Sequence, residues 1–211
     1  MNKVPNIPGP TIERLAFYSR PLESLLEGGT PVISSEKLAI MCGVNSAQVR
    51  KDLGYFGEFG VRGVGYDIRD LLREIKKILA TDREWPVCIV GIGNLGRALL
   101  EDENFQKRGY RFVAAFDSDS QKVGEELPHG LIIEHTSRIR EITEKTGARI
   151  GIISTPAREA QRAADLLMDA GINAFLNFAP IQVRTLECCT VENVDFTVKL
   201  ENLAYHLGKI R

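Results

Sequence analysis

The segment Val87-Cys88-Ile89-Val90-Gly91-Ile92-Gly93-Asn94-Leu95-Gly96-Arg97-Ala98-Leu99-Leu100 constrains this chain more than any other. A run of apolar residues reads as a buried strand, glycines stand at 91, 93 and 96, and a helical pattern opens directly behind them. A strand, tight turn and helix with this glycine spacing form a dinucleotide-binding unit. Gly91 allows the turn, Gly93 lets the backbone approach a pyrophosphate, and Gly96 permits close helix–strand packing. The free amides at the helix N-terminus carry partial positive charge toward the phosphates. Gly91, Ile92, Gly93, Asn94, Leu95 and Gly96 are therefore the candidate cofactor loop.

Asp117 ends the next apolar strand, 21 residues after Gly96, where a carboxylate can accept both ribose hydroxyls of an adenosine. Ser118 and Asp119 follow, with no arginine to receive a 2′-phosphate, so NAD(H) is expected over NADP(H). Another adenine nucleotide such as coenzyme A, or a purely structural glycine turn, remains as an alternative. Ligands of parallel sheets lie outside the carboxyl ends of the strands. Thr155 and Pro156 after one later strand, and Asn177 and Phe178 after another, are therefore further cofactor candidates; ordinary strand-to-helix loops are the alternative.

Around this unit the pattern alternates. Strands are expected at 87–90, 110–116, 150–153 and 174–177, with helices at 95–105, 137–145, 157–170 and, last, 200–210. That is a parallel sheet covered by helices, a Rossmann architecture over residues 81–211. The last helix follows the sheet and need not pack on its own subunit. A polar stretch closed by Pro86 separates this part from residues 1–80, which read as helices followed by a glycine-rich hairpin. Thr11–Leu26 is one expected helix, kinked or divided by Pro21. Ser34 or Ser35 caps the next, Glu36–Met41, and Ser46–Phe56 and Tyr66–Leu79 follow.

Residues 35–56 fit a helix-turn-helix. Ala39 stands where only a small side chain fits, Gly43 at the turn where a positive φ is needed, and Val49 packs back. Leu38, Val44 and Leu53 complete the small core. The second helix then exposes Ser46, Ala47, Gln48, Arg50 and Lys51, side chains suited to base edges and phosphates. Four glycines flank Arg62, which suggests a β-hairpin wing carrying an arginine toward a minor groove. A helical hairpin used for dimerisation is the alternative.

The net charge of −1 hides an asymmetry. Residues 1–80 hold 11 Lys/Arg against 9 Asp/Glu, and residues 81–211 hold 16 against 19. This permits a nucleic-acid surface without marking one. The four cysteines, at 42, 88, 188 and 189, lack metal or disulfide-framework spacing and read as reduced thiols, with a thiol switch at Cys188–Cys189 as the alternative. No apolar run suits a bilayer and MNKVPNIPGP lacks a secretory core, so no membrane partner and a cytoplasmic location are expected. The histidines at 129, 135 and 206 belong to no catalytic cluster, and no substrate domain remains. The pattern points to a sensor rather than an enzyme; a small NAD-dependent oxidoreductase stays open.

Five stretches carry a family resemblance: ISSEKLA (33–39), QVRKDLGYFGEFGVRGVGYD (48–67), CIVGIGNLGRAL (88–99), AAFDSD (114–119) and AGINAFLNFAP (170–180). They resemble the Rex family of redox-sensing transcriptional repressors, from about Pro10 to Leu207. The resemblance implies a winged-helix domain, a Rossmann domain, and a homodimer with a swapped C-terminal helix. It implies binding of double-stranded palindromic operator DNA with NAD⁺ and release by NADH. Carried over by motif, the recognition helix is about 46–56, the wing about 60–66, and Asp195-Phe196 lie near the subunit interface and nicotinamide. The chain departs from the family pattern at Pro21 and at the acidic Glu101-Asp102-Glu103. Phe178 and Phe196 are expected to offer an apolar surface that accepts neutral dihydronicotinamide more cheaply than the charged ring.

Overall fold

Pro21 removes a backbone donor from the middle of the first helix, yet that helix runs undivided from Gly9 to Glu27 (α1). The carbonyl of Phe17, which residue 21 would otherwise bond, instead accepts the Cys42 thiol at 3.9 Å. Of the kink or division expected at Pro21, the division is absent. The computed structural model describes residues 7–61 and 63–209, and the chain separates into two units, Met1–Arg83 and Glu84–Arg211.

In the first unit, a two-residue strand, Val32–Ile33 (β1), leads into α2 (Ser35–Cys42). Ser34 caps it, its hydroxyl accepting the Lys37 amide at 3.2 Å. Gly43 then turns the chain with φ 65°, in the left-handed region. Asn45 caps α3 (Ser46–Gly54), accepting from the Gln48 amide at 2.8 Å. This helix stops two residues short of the expected Phe56. Tyr66–Asp67 is not the start of a helix, as its periodicity suggested, but a strand (β2) antiparallel to β1, with Ile33 opposite Tyr66. Asp67 caps α4 (Ile68–Ile78) through the Asp70 amide. Ala39 and Val49 are buried beside Leu38 and Leu53, and α1 and α4 close the core with Leu15, Tyr18, Leu22, Ile68 and Ile75; Val44 is half-buried at its edge.

One buried carboxylate orients α3 in that core. Asp52 is fully buried and receives a bidentate contact from Arg14 (Nε to Oδ2 2.6 Å, Nη2 to Oδ1 2.8 Å). Tyr18 Oη donates at 2.8 Å, Thr11 Oγ1 at 3.1 Å and Gln48 Nε2 at 2.8 Å. Burial alone would raise the Asp52 pKa, but the bonds from Arg14, Tyr18 and Gln48 outweigh it and hold the group at about 2. The same burial and the bond to Asp52 push the Tyr18 phenol up.

The second unit is a seven-stranded sheet in the order β5-β6-β4-β3-β7-β8-β9. The strands are β3 (Trp85–Val90), β4 (Tyr110–Asp117), β5 (Glu126–Leu127), β6 (Leu131–His135), β7 (Ile150–Ile153), β8 (Ala174–Asn177) and β9 (Thr190–Asn193). All neighbours are parallel except the edge pair β5–β6. The short β5, β6 and β9 were not legible as strands, because none is a continuous apolar run. The helix expected at 95–105 is broken into α5 (Asn94–Glu101) and α6 (Glu103–Lys107), because Asp102 leaves helical geometry and its carboxylate caps the Asn104 amide at 2.9 Å. Helices α7 (Ile139–Thr146) and α8 (Ala157–Asp169) follow. Two apolar layers sandwich the sheet. Cys88, Val90, Ala114 and Phe116 face one, and Val87, Ile89, Phe112 and Ala115 face the other. The register shift between Val87 and Cys88 is what puts Phe112 and Ala115 on one face. The last helix, α9 (Phe196–Lys209), buries none of its residues, and Leu200, Leu203 and Leu207 stand exposed.

Because Asp52 has a lower pKa folded than unfolded, its contribution is complete above about pH 4 and is lost as pH falls toward 2. Asp52→Ala strands the Arg14 guanidinium and is expected to cost about 3 kcal/mol. Urea titrations at pH 7 and pH 3 check this: the gap between wild type and variant should shrink at pH 3, and a constant gap would contradict the assignment.

Candidate functional site

The second unit's site lies where the sheet changes direction. From β3 the chain crosses to β4 on one side and later to β7 on the other, so the loops after β3 and β7 diverge and leave a crevice. The glycine turn fills its floor. Gly91 has φ 99°, and a Cβ there would lie 2.9 Å from the Ser154 carbonyl. A Cβ on Gly96 would lie 2.2 Å from Gly91 O, so α5 approaches the turn as closely as a glycine permits. Gly93 differs: its φ is −90° and a Cβ would meet nothing within 4 Å, so that side of the turn is open.

Polar contacts fasten the turn. Ser154 Oγ donates to Gly91 O at 2.8 Å. The Ile92 amide donates to Asp117 Oδ2 at 2.8 Å, while the Ile92 side chain is buried in the core. Asp117 also accepts from the Asp119 amide at 2.9 Å and Lys122 Nζ at 3.0 Å. Burial would raise its pKa; the Asp119 amide, Lys122 and the Ile92 amide together hold it below the ordinary carboxylate value. Three of its four acceptor positions are used by these bonds.

A cavity of about 270 Å³ joins Gly91, Gly93, Asp117, Thr155 and Pro156 with Ser118, Lys122, Thr136, Ser154, Arg158 and Arg162. Several features fit an anionic nucleotide. No side chain caps the N-terminus of α5 or of α8, so their first amides are free. Thr155 Oγ1 is a buried hydroxyl with no protein partner. Arg158 and Arg162 add positive charge from the first turns of α8.

Other candidates sit elsewhere. Asn94 and Leu95 are exposed on α5 outside the cavity lining. Asn177 is fully buried with its amide spent, donating to Ile181 O at 2.7 Å and Asn193 Oδ1 at 2.8 Å and accepting the Ala179 amide at 3.0 Å. It holds the loop and β9 rather than a ligand. Phe178 is half-buried, its ring 6.4 Å from that of the exposed Phe196. Lys122 and Thr136 escaped the sequence reading because β6 was not recognised, and Arg158 and Arg162 were passed over although their helix was expected. The i, i+4 arginines at the start of a helix were the one available signal.

In the first unit the helix-turn-helix presents Ala47, Arg50 and Lys51 to solvent, with Ser46 and Gln48 half-buried. Gln48 spends one of its two amide N–H donors on Asp52. Arg50 Nη1 bonds Ser35 Oγ at 2.7 Å and Glu36 Oε1 at 3.2 Å. Beyond α3 the chain makes a tight hairpin, with Val61 and Gly65 exchanging backbone bonds at 2.9 and 3.0 Å. Gly60 and Gly65 have positive φ, and a Cβ on either would lie 2.5 Å from a backbone oxygen. Arg62, expected at the tip, lies outside the described residues. A cleft of about 760 Å³ runs between the hairpin, the start of α2 and Arg50.

Known proteins match both units of the chain. A family model described as a CoA binding domain matches residues 82–181. One described as a putative DNA-binding protein N-terminus matches residues 6–54. The redox-sensing transcriptional repressor Rex of Syntrophobacter fumaroxidans is 56% identical over 206 residues, 98% of each chain. That of Maridesulfovibrio salexigens is 48% identical over 208 residues, 99% of each. Among solved structures, RSP in complex with β-NAD⁺ and operator DNA aligns with TM-score 0.91 at 33% identity, covering 96% of this chain and 93% of that one. RSP in complex with β-NADH aligns with TM-score 0.86 at 31% identity, covering 97% and 95%.

The two glycines separate binding from folding. Gly93→Val places a side chain in open space at a permitted φ, so its melting temperature should match wild type while NADH affinity falls at least about tenfold, a loss of about 1.4 kcal/mol. Gly96→Ala forces α5 off the turn and should cost about 1–3 kcal/mol of stability. Thermal melts and isothermal titration with NADH check both; an unaltered melt for Gly96→Ala would contradict the close approach.

Proposed function

This chain belongs to the Rex family of redox-sensing transcriptional repressors, and on that footing we propose that it holds palindromic operator DNA as a homodimer and lets go when NADH replaces NAD⁺. Gene expression is thereby coupled to the NADH/NAD⁺ ratio. The single observation that carries the reading is the pairing, in one chain, of a helix-turn-helix with a nucleotide crevice. RSP, a solved relative, is described with β-NAD⁺ plus operator DNA and with β-NADH.

Each site has a defined task. Lys51 and Arg50 on α3 meet the major groove, with phosphates fixing the register and base edges the sequence. Arg62 is proposed for the neighbouring minor groove. Two such helices, one per protomer, match half-sites one or two helical turns apart. In the crevice, the open face of Gly93 and the free amides of α5 receive the pyrophosphate, and Asp117 receives a ribose hydroxyl. Thr155 and Pro156 line the way to the nicotinamide, with Phe178 and Phe196 as its apolar surface. The reduced ring is neutral where the oxidised ring is cationic, and that difference is the signal the protein reads. Binding without turnover is proposed here, in keeping with relatives named as transcriptional repressors.

Among the described residues no helix is long and apolar enough to cross a membrane. A cytoplasmic site of action and a dimer swapped through the exposed α9 complete the proposal. For NADH to loosen the complex it must favour the dimer shape that does not fit DNA, and a coupling of about 1–3 kcal/mol is typical of such switches.

The test is DNA retention, by fluorescence anisotropy on a labelled operator duplex, against NADH, NAD⁺, NADPH and coenzyme A. Release by NADH at concentrations where the others leave the complex intact is expected. Equal release by coenzyme A, or none by NADH, would overturn the reading. Phe178→Ala and Phe196→Ala should each blunt the NADH response and spare DNA affinity.

A further inference from the structure

A carboxylate stands where a DNA-binding surface should have none. Glu36, in the first turn of α2, lines the cleft between the recognition helix α3 and the hairpin, facing Arg50. Its Oε1 accepts from Arg50 Nη1 at 3.2 Å and from Ser35 Oγ at 3.1 Å, and Ser35 Oγ accepts from the same Nη1 at 2.7 Å. The arrangement is a closed triangle of guanidinium, hydroxyl and carboxylate. The pair is too exposed to be there for stability: Arg50 and Glu36 are 53% and 64% accessible, and ion pairs so exposed contribute little. The Glu36 carboxyl stays ionised, held below its ordinary value first by its own backbone amide and then by the hydroxyls of Ser34 and Ser35.

What the triangle fixes is the direction of Arg50. Both bonds use Nη1, which leaves Nε and Nη2, the opposite edge of the guanidinium fork, for a ligand. That edge presents two parallel donors able to meet guanine O6 and N7 in a two-point contact. An arginine freed from such a clamp instead turns to the nearest phosphate, a contact that carries no sequence information. The described charged groups lining the cleft are Arg50, Glu36 and Glu58, so the carboxylates also oppose indiscriminate attraction to the phosphate backbone there.

Resting on the DNA-binding reading above, we infer that Glu36 is a specificity-determining residue, which positions Arg50 for a guanine edge and keeps it off the phosphates. Glu36 acts through Arg50 and gives up general affinity in exchange for discrimination.

The experiment selects duplexes from a pool randomised over twenty base pairs on the wild-type protein. It then measures Kd for the selected duplex and for a scrambled duplex of equal composition, across a salt series, with Glu36→Gln, Glu36→Ala, Arg50→Ala and the double variant Glu36→Gln/Arg50→Ala. Glu36→Gln should tighten binding to the scrambled duplex and reduce the selected-to-scrambled ratio about tenfold. One more phosphate contact should steepen the scrambled duplex's salt slope by about 0.9. With Arg50→Ala in place, the substitution at Glu36 should have no further effect on the ratio. If Glu36→Gln and Glu36→Ala leave both ratio and slope at wild-type values, or if the effect persists without Arg50, the inference is overturned while DNA binding stands. Failure of the wild-type protein to enrich any duplex would instead overturn the DNA-binding reading, and this inference with it.

Discussion

A short hydrogen bond from the Ile92 amide to the Asp117 carboxylate ties the glycine turn to the end of the neighbouring strand, and much of the second unit is arranged around it. The turn must be tight enough for α5 to start at once, which is why a Cβ at Gly91 or Gly96 has no room. It must also be held from the far side, where Ser154 at the end of β7 bonds Gly91 O. Three strand ends therefore converge on six residues, leaving the free amides of α5 and the open side of Gly93 facing outward. A nucleotide site in such a sheet is what remains when the backbone has been brought this close together and its donors left unspent.

The first unit solves a different problem with a comparable device. A recognition helix of nine residues has too little apolar surface to fix its own orientation. Asp52, on the inner side of α3, gathers donors from Thr11, Arg14 and Tyr18 on α1 and from Gln48 one turn earlier on α3. The cost of burying a carboxylate is offset only when those donors are all in place, so the network tolerates one angle of α3 against α1. The outward side, with Arg50 and Lys51, inherits that angle. Gln48 illustrates the division of labour: a side chain whose type suits base reading has its amide nitrogen turned inward as an orienting group.

The glycine turn, the helix-turn-helix and the parallel strands with continuous apolar runs were legible because each rests on a local rule. Ala39, Gly43 and Val49 occupy the places that the crossing of two helices demands, and the structure has them there. The losses came where tertiary context overrides the local pattern. Tyr66–Asp67 reads as the start of a helix but is drawn into a strand by its pairing with Val32–Ile33. Pro21 should kink or divide α1, yet the helix is undivided and the neighbouring Cys42 thiol takes up the freed carbonyl. Asn177 has the position of a ligand group, and only the contacts of Ile181 and Asn193 reveal that its amide is used up. Lys122 reaches Asp117 from a loop whose course depends on β6, a strand too mixed in character to be seen in advance.

The two units communicate only if occupancy of the crevice and occupancy of the DNA surface favour different shapes of one dimer, and such coupling is reciprocal by thermodynamic necessity. The most direct measurement is therefore the affinity of NADH for the protein alone and for the protein saturated with its operator, by titration calorimetry at one salt concentration. NADH is predicted to bind the operator-saturated protein more weakly, by the same factor, about 5–150-fold, by which it weakens DNA binding. An NADH affinity unchanged by operator would contradict the linkage.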